Sequence, residues 1–195
     1  MKRTLSIIAA ALISSITFAQ NTTWTGDNSH SSVAFNVDHM VISEMTGQFG
    51  EYTITAMADK EDFSDAKFNV IIELNSIDTK DAKRDGHLKS PDFFDAEKFP
   101  TMTFTSTKMK HVKGKKYKLH GLMTIKGVTK KVVLDASFGG IITDPWGNTR
   151  AGIKISGEID RQDFGLTYNS VMDSGGLAVG NEVRIETRVE LIKQK

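Results

Sequence analysis

The sequence predicts an all-β protein, an extended eight-stranded antiparallel up-and-down barrel with a short helical segment between strands three and four. After residue 30, apolar and polar residues alternate with a period of two, which is typical of strands with one dry face. Residues that favour turns separate these segments, as at residues 113–114, 126–127 and 144–148. A closed barrel leaves no exposed strand edge, so we favour it over a two-sheet sandwich.

Each predicted strand carries one apolar face and one charged face. In the last strand, Val183 and Ile185 share one face, whereas Arg184, Glu186 and Arg188 share the other. A barrel that spans a membrane would turn its apolar face outward, whereas here the charged face has to lie outside, which predicts a water-soluble barrel. The predicted strands span residues 31–40, 47–58, 65–76, 100–110, 115–126, 130–142, 149–160 and 182–193.

Two long connections and one apolar turn are predicted to share one end of the barrel. Successive connections of a meander alternate between its two ends, so the first, third and seventh connections meet at the same end. These are the apolar turn at residues 41–45 and the segments 77–99 and 161–181. In the second of them, Thr79 is a candidate helix cap, and Ser90 before Pro91 predicts a second helix start. This end is the predicted mouth.

Residues 1–19 have the pattern of a secretory signal peptide. Lys2 and Arg3 precede an apolar run, and small residues precede the predicted cleavage between Ala19 and Gln20. The run is too short to span a bilayer, so we expect an exported protein without stable membrane insertion, whose barrel domain covers residues 20–195.

The composition argues against several classes of partner. The 25 basic and 24 acidic residues nearly balance, which leaves no electrostatic basis for binding nucleic acid. The chain has no cysteine, so disulfides and thiolate metal sites are excluded. The five histidines lack the short pairings of helical zinc sites. We therefore expect neither a bound metal nor a cofactor.

The predicted interior is wide enough for a ligand. Eight strands enclose room for side chains or for one small ligand. Gly121, Ala136 and Gly157 occupy inward positions, which favours a cavity over the alternative that they mark bends of the wall. Strands of about eleven residues give a tube on the order of 35 Å long, which suits a linear apolar chain. The side chains predicted to line it are Phe35, Val37, Phe68, Val70, Ile72, Phe104, Leu119, Gly121, Met123, Leu134, Ala136, Ile153, Ile155, Gly157 and Ile185.

The segment KRDGHLKSPDFF, residues 83–94, brings polar and aromatic residues to the predicted mouth. Without an obvious nucleophile, Arg84, Asp85 and His87 do not form a catalytic constellation. Two interpretations remain: an Arg84–Asp85 ion pair that braces the segment, or contact of Arg84 and His87 with a polar or phosphorylated head group. Residues 161–164 allow the same two interpretations. The residues predicted at the rim are His39, Arg84, Asp85, His87, Phe93, Phe94, Arg161, Asp163 and Phe164.

Five blocks in order resemble the signatures of the YceI-like family. They read NSHSSVAFNVDHM, TGQFGEY, RDGHLKSPDFFDAEKFPTMTFTS, HGLMTIKGVTKKVVL and IDRQDFG, and the resemblance runs from about Trp24 to the end of the chain. It implies a lipocalin-like barrel, residence in a periplasm and binding of polyisoprenoid lipids such as isoprenoid-quinone precursors. It implies no established catalytic activity and is compatible with a homodimer.

The predicted function is therefore the carriage or storage of a polyisoprenoid or isoprenoid-quinone-type lipid inside the barrel. One alternative is an enzyme that acts on a hydrophobic substrate with polar groups at the mouth. Another is an interaction module that docks through the apolar turn at residues 40–45.

Overall fold

The computed structural model describes residues 22–170 and 177–195. The predicted signal peptide, with its cleavage between Ala19 and Gln20, lies outside the described residues. Among those that are described, no helix has the length and apolarity needed to cross a membrane. The strands are β1 (Thr23–Gly26), β2 (Ser32–His39), β3 (Ser43–Phe49), β4 (Tyr52–Met57), β5 (Lys67–Glu73), β6 (Ile77–Asp78), β7 (Thr101–Lys113), β8 (Lys116–Ile125), β9 (Val128–Thr143), β10 (Thr149–Asp160) and β11 (Val179–Lys193).

The strands form a closed antiparallel barrel with eight positions around its wall, which confirms the predicted fold class. β1 and β2 follow one another along β11, with Trp24 opposite Lys193 and Phe35 opposite Ile185. β4 pairs with β1 and β3 with β2, so each of the first two wall positions is one interrupted strand. β5 and β6 share the third position, and β7 to β11 supply the rest.

The first wall strand begins earlier than residue 31, where the sequence pattern placed it. β1 is only four residues long and is separated from β2 by a 3-10 turn, Asn28–His30. Asp27 caps that turn by accepting a hydrogen bond from the Ser29 backbone N–H at 3.0 Å. A strand this short shows no clear alternation, which is why the pattern did not reveal it.

The connection between β6 and β7 contains one α-helix, α1 (Ala82–Lys89), as predicted for the helical segment. Its N-cap is Asp81, whose carboxylate accepts hydrogen bonds from the backbone N–H groups of Lys83 and Arg84 at 2.9 and 3.0 Å. The expectation that Thr79 caps the helix is wrong. The expected second helix at Ser90 is also wrong, because residues 91–98 form turns.

The charged faces of the strands lie outside, as the alternation predicts. Lys118 on β8 is opposite Asp135 on β9, and their side chains form an exposed ion pair at 2.7 Å. Glu186 is also exposed. An exposed pair of this kind contributes little stability, so folding depends on the apolar interior.

Aromatic side chains fill the end of the barrel opposite the mouth, which we call the far end. The ring of Phe63 stacks on Phe138 with centroids 4.8 Å apart and meets Trp24 edge-on at 5.0 Å. Trp24 donates its indole N–H to the carbonyl of Ala58, and Tyr117 donates its hydroxyl to the carbonyl of Asp62. A tube open along its whole length, as expected from strand length, is therefore absent from the described interior.

The small inward residues make room for neighbouring side chains, which corrects the interpretation that they open a cavity. A Cβ atom at Gly121 would lie 2.4 Å from the ring of Phe104, and one at Gly157 would lie 2.6 Å from Leu134. Ala136 is buried in the packed core. The two glycines are small because a neighbouring strand sends a large side chain across each of them.

A network around Arg150 ties the far end together. Arg150, on β10, donates to Asp27 at 2.7 Å, to Asp144 at 2.6 Å and to Glu190 at 2.5 Å. Burial by itself would raise the pKa of Asp144, but hydrogen bonds from Arg150, Asn148 and two backbone N–H groups hold it at about 2. Hydrogen bonds from Ser29 and Arg150 also lower the pKa of Asp27.

This network predicts a loss of stability in acid. Carboxylates with lowered folded-state pKa values stabilise the fold above their unfolded pKa of about 4, and this contribution disappears as pH falls through the folded value. We expect the melting temperature to fall between about pH 4 and pH 2, and to fall less steeply in Arg150→Gln. Arg188→Gln, on the exposed face, is the matched control. Equal slopes in wild type and Arg150→Gln would contradict the prediction.

Gly121 provides a test of the packing interpretation. Gly121→Ala places a methyl group against the Phe104 ring and 2.8 Å from the Thr105 carbonyl oxygen, so we expect a loss of about 1–3 kcal/mol in unfolding free energy. Gly152→Ala is the control, because no atom lies within 4 Å of its added Cβ. Urea titration measures both, and equal midpoints would refute close packing at Gly121.

Candidate functional site

An apolar cavity of about 280 Å³ occupies the mouth half of the barrel. The wall of this cavity includes residues from the β2–β3 hairpin, from α1 and from the segment after β10, which are the three segments predicted to meet at the mouth. Of the residues predicted to line it, the wall contains Phe35, Val37, Val70, Ile72, Phe104, Met123, Leu134, Ile155 and Ile185. Those predicted as lining that lie outside the wall are Phe68, Leu119, Gly121, Ala136, Ile153 and Gly157.

The predicted rim residues divide in the same way. Those in the cavity wall are His39, Arg84, His87, Phe93, Phe94 and Arg161. Asp85 is turned to Thr79, Asp163 is exposed, and Phe164 is buried in the core, so these three lie away from the cavity. Sequence reasoning missed several wall residues, chiefly Val33, Met45, Phe49, Leu88, Met102, Leu166, Tyr168, Val179 and Val183.

The helix α1 presents three side chains to the cavity. Arg84, His87 and Leu88 are spaced three and four residues apart, so they share one helical face. That spacing was readable in the sequence and identifies Leu88, which strand alternation alone does not. The helix thus contributes two polar groups and one apolar group to a wall that is otherwise built from strands.

Thr79 fixes Arg84 at the wall. The Arg84 Nε donates to the Thr79 hydroxyl at 2.7 Å, and its Nη2 donates to the Thr79 carbonyl at 2.6 Å. Asp85 accepts from the backbone N–H of Thr79 at 2.9 Å and from its hydroxyl at 2.6 Å. The predicted ion pair between Arg84 and Asp85 is therefore replaced by a buried threonine that bonds to both.

Three rings join the helical segment to the segment after β10. The imidazole of His87 meets Tyr168 and Phe93 edge-on, with centroids 4.7 and 5.1 Å away, and Tyr168 lies 5.0 Å from Phe93. The His87 Nε2 atom is 3.1 Å from a carboxylate oxygen of Asp92, on the outer side. Edge-to-face contacts of this kind favour one arrangement of the rings, so the two segments are held together at the mouth.

Arg161 is a buried cation at the cavity wall. Only 4% of its surface is exposed, and its donors reach the backbone carbonyls of Gly180 at 2.9 Å, Val179 at 3.3 Å and Leu166. Burial lowers the pKa of its guanidinium. Its predicted brace to Asp163 does not form. Instead, its hydrogen bonds hold the segment after β10 against the start of β11.

The turn between β2 and β3 is exposed, apolar and strained. Val41 and Ile42 are 75% and 88% exposed, although neither carries a polar side chain. Met40 and Val41 have φ angles of 52° and 66°, in the left-handed region that a β-branched residue rarely adopts. Because His39 and Met45 on its flanks line the cavity, this turn projects from the cavity rim.

One cluster of potential metal ligands occurs among the described residues, and it lies at the far end. Ligand atoms of Asp27, His30 and Glu190 are within 4.8 Å of one another. Arg150 already donates to both carboxylates, so its guanidinium supplies the positive charge that these acids need. The cluster was invisible in the sequence because Glu190 is far along the chain from the other two.

A closed barrel with an apolar cavity open at one end belongs to the class of barrels that bind apolar ligands. The chain is a member of the YceI-like family, whose domain model matches residues 24–191. A Staphylococcus aureus relative, UPF0312 protein SAS2572, is 34% identical over 170 residues, which cover 87% of this chain and 96% of the relative.

Solved structures share the same barrel. The Campylobacter jejuni YceI protein matches with a TM-score of 0.69 and 34% identity over 81% of this chain and 90% of its own. Burkholderia cenocepacia BcnA matches with a TM-score of 0.74 at 22% identity, over 85% of this chain and 98% of its own. A polyisoprenoid binding domain from Saccharophagus degradans matches with a TM-score of 0.66 at 13% identity, over 88% of this chain and 98% of its own. The last two resemblances establish the fold alone.

The strained turn generates a prediction about stability. Val41→Gly removes a left-handed conformation that costs about 1–2 kcal/mol, partly offset by glycine's greater unfolded-state freedom, about 0.5–1 kcal/mol. We expect a net gain of up to about 1.5 kcal/mol, with the melting temperature rising by about 2–4 °C for each kcal/mol gained. Val133→Gly, an exposed strand position with ordinary backbone angles, should lower it. A decrease in both variants would show that Val41 is not strained.

Proposed function

We propose that the protein is an exported carrier or store for a long-chain apolar lipid of the polyisoprenoid or isoprenoid-quinone type. The observation that carries this proposal is the half-empty barrel: an apolar cavity of about 280 Å³ with polar groups gathered at its mouth. Apolar binding needs few specific contacts, since each methylene buried contributes about 0.8 kcal/mol.

The volume supports a chain that threads the mouth half. About 280 Å³ is near the lower end of the range of about 300–1,000 Å³ that is usual for ligand pockets. A linear chain matches the cavity because strand side chains surround it on all sides, with Phe104, Met123 and Leu134 toward the far end. Any part of a ligand that the cavity cannot hold must extend past the opening, beside the apolar turn at Val41 and Ile42.

The comparisons support an isoprenoid ligand. The Saccharophagus degradans structure is named as a polyisoprenoid binding domain, and it has the same barrel. The predicted signal peptide, residues 1–19, and the family resemblance support residence in a periplasm.

Binding is better supported than catalysis. The enzyme hypothesis used Arg84, Asp85, His87, Arg161 and Asp163 as a polar group around a substrate. Asp85 is engaged by Thr79 and Asp163 is exposed, so neither acid of that group lines the cavity. The interaction-module hypothesis keeps one supporting feature, the exposed turn at residues 40–42.

Identification of the bound lipid tests the proposal. The protein would be purified from a bacterium with and without residues 1–19, extracted with organic solvent and studied by mass spectrometry. We expect an isoprenoid lipid at near-stoichiometric amount from the exported form. An extract without lipid, together with a protein that does not bind the neutral fluorescent probe N-phenyl-1-naphthylamine, would overturn the proposal.

Filling the cavity should weaken binding. Val70→Phe places a ring in the space lined by Phe104 and Ile72, and the displacement of about two methylenes costs about 1.6 kcal/mol, roughly tenfold in affinity for the neutral probe. Val133→Phe makes the same change on the exposed face of β9 and should leave affinity unchanged. Equal affinities in folded samples of both variants would place the ligand elsewhere.

A further inference from the structure

The arginines of the described chain fall into two groups. Away from the cavity, each has carboxylate partners: Arg150 contacts three, Arg184 contacts Asp38 and Glu44, and Arg188 lies 4.0 Å from Glu186. Arg84 and Arg161 line the cavity, and among residues 22–170 and 177–195 neither has a carboxylate oxygen within 4.0 Å. The cations without an acidic partner are thus the two at the ligand cavity.

Hydrogen bonding to carbonyls explains the position of Arg161 but, among the described residues, brings no carboxylate within 4.0 Å of its charge. Carbonyl oxygens satisfy the N–H groups and orient the guanidinium, as a brace for the segment after β10 requires. A brace needs donors, however, and does not need a full positive charge. Removing a cation from water is costly unless an anion joins it, so a buried arginine without an acid is unusual.

The guanidinium of Arg84 has N–H donors that make no hydrogen bond within the described residues. Thr79 takes its Nε and Nη2 groups, and within the described residues its Nη1 group has no hydrogen-bond partner. The bonds to Thr79 hold the guanidinium plane in place, since Thr79 is itself buried and bonded to Asp85. A guanidinium that is oriented before binding loses little entropy when it meets an oxyanion.

The remaining charge at the cavity does not cancel these two cations. Asp38 is the one acidic residue in the described wall, and Arg184 contacts it at 2.7 Å. His39 and His87 add only donors and acceptors when neutral. The described wall of the cavity is therefore apolar along its length and contains two arginines that no carboxylate approaches within 4.0 Å.

We propose that the cavity selects a lipid whose polar end is an anion, a carboxylate or a phosphate, held by Arg84, with Arg161 as a second positive charge in the same wall. This inference rests on the proposed function, because it assigns the head group of the same ligand. The apolar chain occupies the space between Phe104 and Ile155, while the head lies beside Arg84. Arg84 can donate to either anion through its Nη1 group, which has no partner among the described residues, and such charge-assisted hydrogen bonds are stronger than those to a neutral head.

Three probes with one chain and different ends test the inference. Geranylgeraniol, geranylgeranoic acid and geranylgeranyl phosphate would each displace N-phenyl-1-naphthylamine from the purified, delipidated protein, below their micelle concentrations. We expect at least one anion to bind about tenfold more tightly than the alcohol, a difference of about 1.4 kcal/mol. Preference for the acid or for the phosphate identifies the source of the charge.

Substitutions assign the preference to its residues. Arg84→Gln should reduce the anion-to-alcohol ratio to below about threefold, and Arg84→Lys should keep more of the ratio than Arg84→Gln because it keeps the positive charge. Arg161→Gln should also lower the ratio if it folds, because it removes the second positive charge at the wall. If it does not, the two Arg84 variants decide the matter. Arg188→Gln, on the exposed face, is the control and should change nothing.

The outcomes separate this inference from the proposed function. If all three probes bind with equal affinity, or if Arg84→Gln leaves the ratio unchanged, the anionic head group is refuted and the apolar cavity stands. If none of the probes displaces the fluorescent probe, or the fluorescent probe itself does not bind, the proposed function fails as well.

Discussion

The pairing of β11 with two successive strands closes the barrel, and the rest of the structure depends on it. β1 pairs with the last residues of β11 and β2 with the earlier ones, so the short 3-10 turn at Asn28–His30 interrupts one continuous wall strand. The interruption lets β1 bring Trp24 to the far end, while β2 brings Phe35 and Val37 along the cavity. Closure thus also determines which half of the interior is filled.

The two halves differ because of what enters them from outside the wall. The connection between β4 and β5 inserts Phe63, which is fully buried between Trp24 and Phe138. At the mouth, α1 and the segment after β10 cover the opening from its side, and His87, Phe93 and Tyr168 pack against one another there. The β4–β5 loop fills the far end, whereas α1 only covers the mouth. One end of the barrel is therefore packed and the other is hollow, although similar strands surround both.

Sequence periodicity identified the faces of the strands but not the depth of each residue along the barrel axis. Phe68 and Val70 share the inward face of β5, yet only Val70 borders the cavity, and no period-two pattern distinguishes them. The role of Gly121 depends on where the Phe104 ring crosses it, which only the register of β7 against β8 reveals. The partners of Arg161 are backbone carbonyls, which carry no residue-type signal, so its neighbour Asp163 was the misleading choice.

The single opening of the cavity constrains how a ligand can enter and leave it. Because Phe63 and its neighbours close the far end, a ligand that enters with its apolar tail first must leave through the same opening. A carrier of the proposed kind could therefore not load from a donor and release to an acceptor through opposite ends at the same time. It would have to take up and release its ligand in successive encounters, through the same opening.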